Sequence, residues 1–237
     1  MVLQFPSLKT LLMTFLFVIG HGPPPVWMTD FKAVQAAART AVTPGQSFEQ
    51  LRKKNAENHW QYGYWVKVVM TIENWSRFPL NSWNNIVESG AFFGGANAIN
   101  PGKKEKLEFR NGDLVGSYGT VSFLIDGADR RFVIMYSAPY LIAYIGHRNW
   151  LGLGLTSKGF TDIREEHGYY YTMYNEWDTW DLKWARKVFY SRKDPVMYSD
   201  NQFVLWGTMA NTRKADITIV FRPVNNNDLA SEIKAKL

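Results

Sequence analysis

The chain has 237 residues, 46% of them hydrophobic and 16% aromatic, with 27 basic against 21 acidic side chains and no cysteine. That length and apolar content exclude a disordered chain and suffice for a full hydrophobic core. The lack of cysteine excludes disulfides, thiolate metal sites and cysteine nucleophiles, and the net charge of +6 favours anionic partners, although no basic run or nucleic-acid motif is present.

The first 25 residues carry Lys9, an apolar run Leu11–Gly20 and the prolines Pro23–Pro25. A basic flank, a short apolar stretch and a small residue at its end are the marks of a secretory signal peptide. The run is shorter than the roughly 20 residues that span a bilayer. The expectation is a signal peptide over 1–20 and an exported chain, with a buried N-terminal strand or helix as the alternative.

Residues 27–42, WMTDFKAVQAAARTAV, place Trp27, Phe31, Val34, Ala38 and Val42 near helical spacing and are rich in alanine, which predicts an amphipathic helix. TPGQ at 43–46 ends it. Residues 47–60, SFEQLRKKNAENHW, predict a second and more polar helix, with Ser47 and Gln50 at capping-box spacing. Together they form an N-terminal helical segment over 21–61.

From residue 62 the period becomes two. Tyr62, Tyr64, Val66, Val68, Met70 and Ile72 share one face. Further strands are expected near 104–110, 117–126, 131–138, 148–157, 202–208 and 214–222, joined by turns such as PGKK, RNGD and IDGADR. TDIREEHG and DLKWARKVFY, within 160–190, read as helical. The predicted fold is mainly β: a β-sandwich over 62–225 flanked by two α-helices, with the N-terminal amphipathic helix before it and a tail over 226–237.

Motifs for catalysis are missing. His21, His59, His147 and His167 show no metal-ligand spacing, and no nucleophile elbow, P-loop or dinucleotide fingerprint occurs. Glu165 and Glu166 read as a solvated face rather than an acid–base pair. The expectation is a protein that is not an enzyme and has no cofactor or metal.

The most specific stretch is FVIMYSAPYLIAYIGHRNWLGLGL, 132–155, in which an apolar strand ends in Ser137, Pro139 and Tyr140, a loop follows, and Asn149–Trp150 opens the next strand. This resembles the central signature of the actinoporin family, the pore-forming cytolysins of sea anemones with relatives in molluscs and hydrozoans. VKVVMTIENWSRFPL (66–80), ESGAFFGGANAINPGKKEKLEF (88–109), GSYGTVSFLI (116–125), GYYYTMY (168–174) and GTMANTRKADITIVFRP (207–223) are similar to family segments in the same order, so the likeness covers about residues 60–223. The Arg-Gly-Asp tripeptide of anemone members is missing.

The resemblance implies an actinoporin-like sandwich and a secreted cytolysin. Such a protein binds the phosphocholine headgroups of sphingomyelin or phosphatidylcholine and self-associates on the target membrane. It then inserts an N-terminal helix to form a cation-conducting pore. The implied headgroup residues are Ser89, Tyr118, Ser137, Pro139, Tyr144, Trp150, Tyr170 and Tyr174. The membrane-contact loop contributes Tyr140 and Ile145, and Arg148 joins them on its charge alone. The side-chain chemistry agrees. A quaternary ammonium donates no hydrogen bond and is held by ring faces, while a phosphate needs donors such as the Ser137, Ser89 and tyrosine hydroxyls. Pro139 fixes the strand exit. Tyr136 and Trp150 also read as plain core rings. Of the two helices, 27–42 has the apolar stripe that insertion needs. Segment 47–60 carries Arg52, Lys53 and Lys54 against little more than Phe48 and Leu51. That polarity leaves a second reading open, a glycan- or lipid-binding module of the same fold that makes no pore.

Overall fold

The computed structural model describes residues 26–57, 65–140, 148–190 and 194–237. The chain divides into two compact units, residues 1–36 and 37–237. In the first, the described residues 26–36 are helical and belong to α1 (Val26–Ala41).

The second unit begins with the last turn of α1, where Ala37, Ala38, Ala41 and the following Val42 are buried. Pro44 cannot continue a helix, and Thr43–Pro44 instead form a short strand, β1, parallel to Lys103–Lys104. Then come α2 (Gln46–Glu57), β2 (Val66–Asn74), β3 (Leu80–Ser89), β4 (Ala91–Gly95), β5 (Lys103–Asn111), β6 (Gly116–Ile125) and β7 (Arg130–Pro139). They are followed by β8 (Asn149–Thr156), α3 (Tyr170–Tyr174), β9 (Leu182–Phe189), β10 (Val196–Ser199), β11 (Phe203–Met209), β12 (Lys214–Pro223) and a terminal turn of helix, α4 (Ser231–Lys234).

The strands form two sheets. One has the order β1-β5-β2-β12-β11-β10, with β4 paired to β5; the other is β3-β6-β7-β8-β9. β2 shows the cause most plainly: Val66, Val68, Met70 and Ile72 are wholly buried while the residues between them are half exposed. They meet Phe109, Ile217, Ile219 and Phe221 on one side of the core and Phe123, Phe132, Ile134, Tyr136, Leu151 and Leu153 on the other. Phe132 and Phe221 pack at 5.4 Å between centroids, and Phe109 and Tyr136 at 4.7 Å. Each such ring removes enough apolar surface from water to contribute on the order of 2–3 kcal/mol. A buried Asn74 closes the turn after β2: its Nδ2 donates to the Phe78 and Ile99 carbonyls at 2.7 and 3.0 Å, and its Oδ1 accepts from Ser76.

The mainly β sandwich with few short helices is the expected fold, and the strands predicted from residue 104 onward all form. Several local readings are corrected. DLKWARKVFY is the edge strand β9, not a helix. Its apolar residues fit both periods, and pairing with β8 decides between them, sending Leu182 and Trp184 to one face and Phe189 to the other. TDIREEHG is turn and bend. It ends in two left-handed residues, His167 (φ 55°) and Gly168 (φ 51°), a conformation no helix contains. Ser47 forms no capping box: it lies inside α2 and its hydroxyl bonds the buried Glu105 carboxylate and the Lys106 carbonyl. β3 escapes the period-two reading because bulges shift its register between Asn81 and Asn84 and again between Val87 and Ser89. The predicted strand residues Tyr62 and Tyr64, and the leader over 1–20, lie outside the described residues.

Candidate functional site

β7 is buried along almost its whole length. That explains the unbroken run FVIMYSA, since both faces of the strand are covered. Phe132, Ile134 and Tyr136 enter the sandwich core. Val133, Met135 and Ser137 point to the outer face of the second sheet, where Val133 and Met135 pack under Tyr169, Tyr170 and Met173. Two features let α3 approach so closely. Gly168 adopts its left-handed turn against β6, where an added Cβ would fall 2.5 Å from Thr120 Oγ1. Gly152 leaves the space that Met173 fills, an added Cβ there lying 2.8 Å from Met173 Cε.

Strand register then assembles the site. Ser89 pairs with Tyr118, Tyr118 with Ser137, Ser137 with Trp150 and Trp150 with Val188, a single row running across all five strands. Above the row, the Tyr170 ring stacks with Tyr174 at 5.4 Å and 14° and lies 5.1 Å from Tyr118. Tyr174 meets Trp150 edge to face at 5.9 Å. Burial pushes the Tyr170 phenol well above its ordinary range, the Ser137 hydroxyl beside it works in the opposite direction, and the neighbouring Tyr174 and Tyr118 phenols add to the rise. The phenol is thus a neutral donor at any physiological pH. Tyr118, Ser137, Trp150, Tyr170 and Tyr174 form one continuous patch, with Tyr118, Trp150 and Tyr174 half exposed around the buried Ser137 and Tyr170.

The other expected residues lie elsewhere. Ser89 ends the row on β3 but outside the ring cluster: its hydroxyl donates to the Gly116 carbonyl at 2.8 Å and accepts from Asn111 Nδ2 at 3.0 Å. Pro139 ends β7 opposite Gly116. Tyr140 stands apart from the tyrosine patch, packed edge-on against Trp65 at 4.8 Å with the Arg213 guanidinium 4.2 Å from its ring centre. Arg148 is exposed at the entry to β8. Tyr144 and Ile145 lie outside the described residues. Tyr136 is a core ring whose phenol is pushed up by complete burial. Asn149, beside Trp150, is buried and holds the β11–β12 turn through the Ala210 and Thr212 carbonyls at 2.7 and 3.0 Å.

Sequence reasoning missed Arg186. Its guanidinium carbon lies 4.5 Å from the Trp150 ring centre and 5.9 Å from that of Tyr174. Its Nε donates to Glu176 at 3.0 Å and its Nη1 to the Tyr174 carbonyl. Reading β9 as a strand would have found it, since Arg186 shares a face with Trp184 and Val188. Among the described residues no group of three or more His, Asp or Glu is placed to hold a metal ion, and no helix is long and apolar enough to cross a membrane.

The two-sheet sandwich, with a short tyrosine-bearing helix laid on the outer face of one sheet, is the actinoporin-like fold. The same fold occurs in the crystal structure of the lipid binding protein Nakanori, similar with a TM-score of 0.52 at 15% identity over 74% of this chain and 78% of that one. No family model matches the chain. It is, however, 35% identical over 243 residues to Conoporin-Cn1 of Conus consors, covering 100% of this chain and 95% of that protein. It is also 38% identical over 170 residues to Tereporin-Ca1 of Terebra anilis, covering 70% of this chain and 88% of that protein. Echotoxin-2 of Monoplex parthenopeus is 30% identical over 179 residues, 73% of this chain and 63% of that protein. The chain belongs to the conoporin and tereporin family, the actinoporin-like proteins of gastropods.

Proposed function

We propose that this protein is a secreted cytolysin that binds phosphocholine lipids, sphingomyelin first, on a target membrane and there self-associates into a cation-conducting pore. The observation that carries the reading is the convergence of Tyr118, Ser137, Trp150, Tyr170 and Tyr174 on one outer face of the sandwich. Hydroxyls and half-exposed rings at one place suit the membrane interface, where a ring body meets apolar chains and its polar tip meets water and phosphate. Membership of a family whose members are named porins and toxins supports the same direction. The reading needs no catalytic group, metal or cofactor. In it, Tyr140, Tyr144, Ile145 and Arg148 belong to the loop that meets the bilayer, and the segment that inserts is drawn from 27–42 or 47–60.

The test is dye release from phosphatidylcholine vesicles with and without sphingomyelin, using the chain from His21. Release that depends on sphingomyelin is expected. Vesicles that are neither bound nor leaky would sink the reading.

A second reading, headgroup binding without perforation, is favoured by one feature. The sequence of α2 holds three apolar residues, Phe48, Leu51 and the small Ala56, and Leu51 is already buried against the sandwich. Phe48 lies under the Lys106 ammonium at 4.0 Å. A helix with so narrow an apolar face gains little from entering a bilayer. Binding without release selects this reading.

A further inference from the structure

The ring faces of the tyrosine patch are not all open to a ligand. Tyr170 is stacked with Tyr174 and leans on Tyr118. The face of Trp150, the ring with the strongest attraction for a cation, carries the protein's own guanidinium, Arg186, at 4.5 Å. That group is held in place. Its side chain is only 16% exposed, Glu176 pairs with Nε at 3.0 Å, and the Tyr174 carbonyl accepts from Nη1. Glu176 reaches it because it takes a left-handed conformation, φ 57°, just past the end of α3.

A second cation brought to the same indole face would find it already covered by this guanidinium. Displacing Arg186 would break its ion pair and its ring contact together. What the arrangement offers a ligand is the opposite charge preference. A guanidinium has five N–H donors in a rigid fork, and Arg186 lies two residues along β9 from Val188, the row partner of Trp150, with its guanidinium against the Trp150 and Tyr174 rings. That donor set fits a phosphate.

We infer that Arg186 occupies the seat which a ligand's ammonium would take on Trp150, so that recognition runs through the phosphate and is indifferent to the quaternary ammonium. The site then accepts phosphoethanolamine headgroups as well as phosphocholine ones. This rests on the tyrosine patch being the headgroup site. Arg186 is a specificity-determining residue of that site, and Glu176 positions it.

The experiment is a tryptophan-fluorescence titration of the folded chain with phosphocholine, phosphoethanolamine and tetramethylammonium, on the wild type, Arg186→Gln and Arg186→Lys. The wild type should bind the two phosphate compounds within about threefold of each other and give no response to tetramethylammonium. Arg186→Gln should weaken both phosphate compounds by about tenfold, the scale of one charge-assisted hydrogen bond, and should acquire a response to tetramethylammonium. Arg186→Lys, which keeps the charge but not the fork, should lie between. A wild type that prefers phosphocholine tenfold or more, or that responds to tetramethylammonium, overturns the inference while leaving the headgroup site in place. Undiminished phosphate binding by Arg186→Gln does the same. If the wild type binds neither phosphate compound, the headgroup reading itself fails, and the inference with it. Should Arg186→Gln not fold, the wild-type comparison and Arg186→Lys decide alone.

Discussion

Ser137 and Trp150 are register partners across β7 and β8, and both point away from the sandwich core. Their neighbours along each strand, Tyr136 and Leu151, point into it. Alternation within two consecutive strands therefore separates the aromatic signature into a structural half and a surface half.

That separation predicts different outcomes for its two rings. Trp150→Ala removes a half-exposed surface ring, and should lower vesicle binding about tenfold or more while moving the melting temperature little. Tyr136→Ala deletes a wholly buried ring and should destabilise by about 3–5 kcal/mol. Co-sedimentation with vesicles, alongside thermal melts followed by circular dichroism, distinguishes the two. Equal loss of binding and stability for both variants would contradict the division.

Burial raises the phenols of Tyr136, Tyr169 and Tyr170 above the ordinary value. A raised acid is protonated more readily in the folded state than in the unfolded one, so the folded state holds protons that the unfolded state releases. Stability from these groups is complete below about pH 10, the unfolded value, and is lost as pH climbs beyond it. Ultraviolet titration should show these three phenols ionising together with loss of the fold. A smooth titration of every tyrosine with the fold intact would refute this.

Asn74 makes a prediction about stability alone. Its side chain satisfies the Phe78 and Ile99 carbonyls and the Ser76 amide and hydroxyl, all in a buried turn. Asn74→Ala leaves the Ser76 amide without its acceptor and takes one bond from each of the others, at roughly 1–3 kcal/mol for a buried group left unpaired. Urea unfolding should show that loss, and headgroup binding by the folded fraction should be unchanged, because Asn74 ends β2 in the first sheet and the tyrosine patch lies on the outer face of the second.

The strands that alternate cleanly are legible in the amino-acid sequence. β2 and β12 show period two because one face is buried and the other is wet, and β7 shows a continuous apolar run because both its faces are covered. The Ser-x-Pro-Tyr and Asn-Trp elements supply Ser137 and Trp150, which register makes neighbours, and the composition alone excludes thiol chemistry. β9 is not legible, since Leu182, Ala185 and Phe189 fit a helix as well as they fit a strand until β8 pairs with them. Nor is β3, because its bulges break the period that sequence reading depends on.

The residue types of the site were thus determined by the sequence, and their company was decided by the tertiary structure. Ser89, Tyr118, Ser137 and Trp150 are far apart along the chain and become neighbours only through strand register. Register is set by which faces must be buried together. The position of α3 depends on a left-handed turn at His167 and Gly168 and on the space left by Gly152. Arg186 reaches Trp150 only because an ambiguous segment pairs as an edge strand. A periodic pattern records which side of an element is dry, but contacts between elements follow from how those dry sides pack.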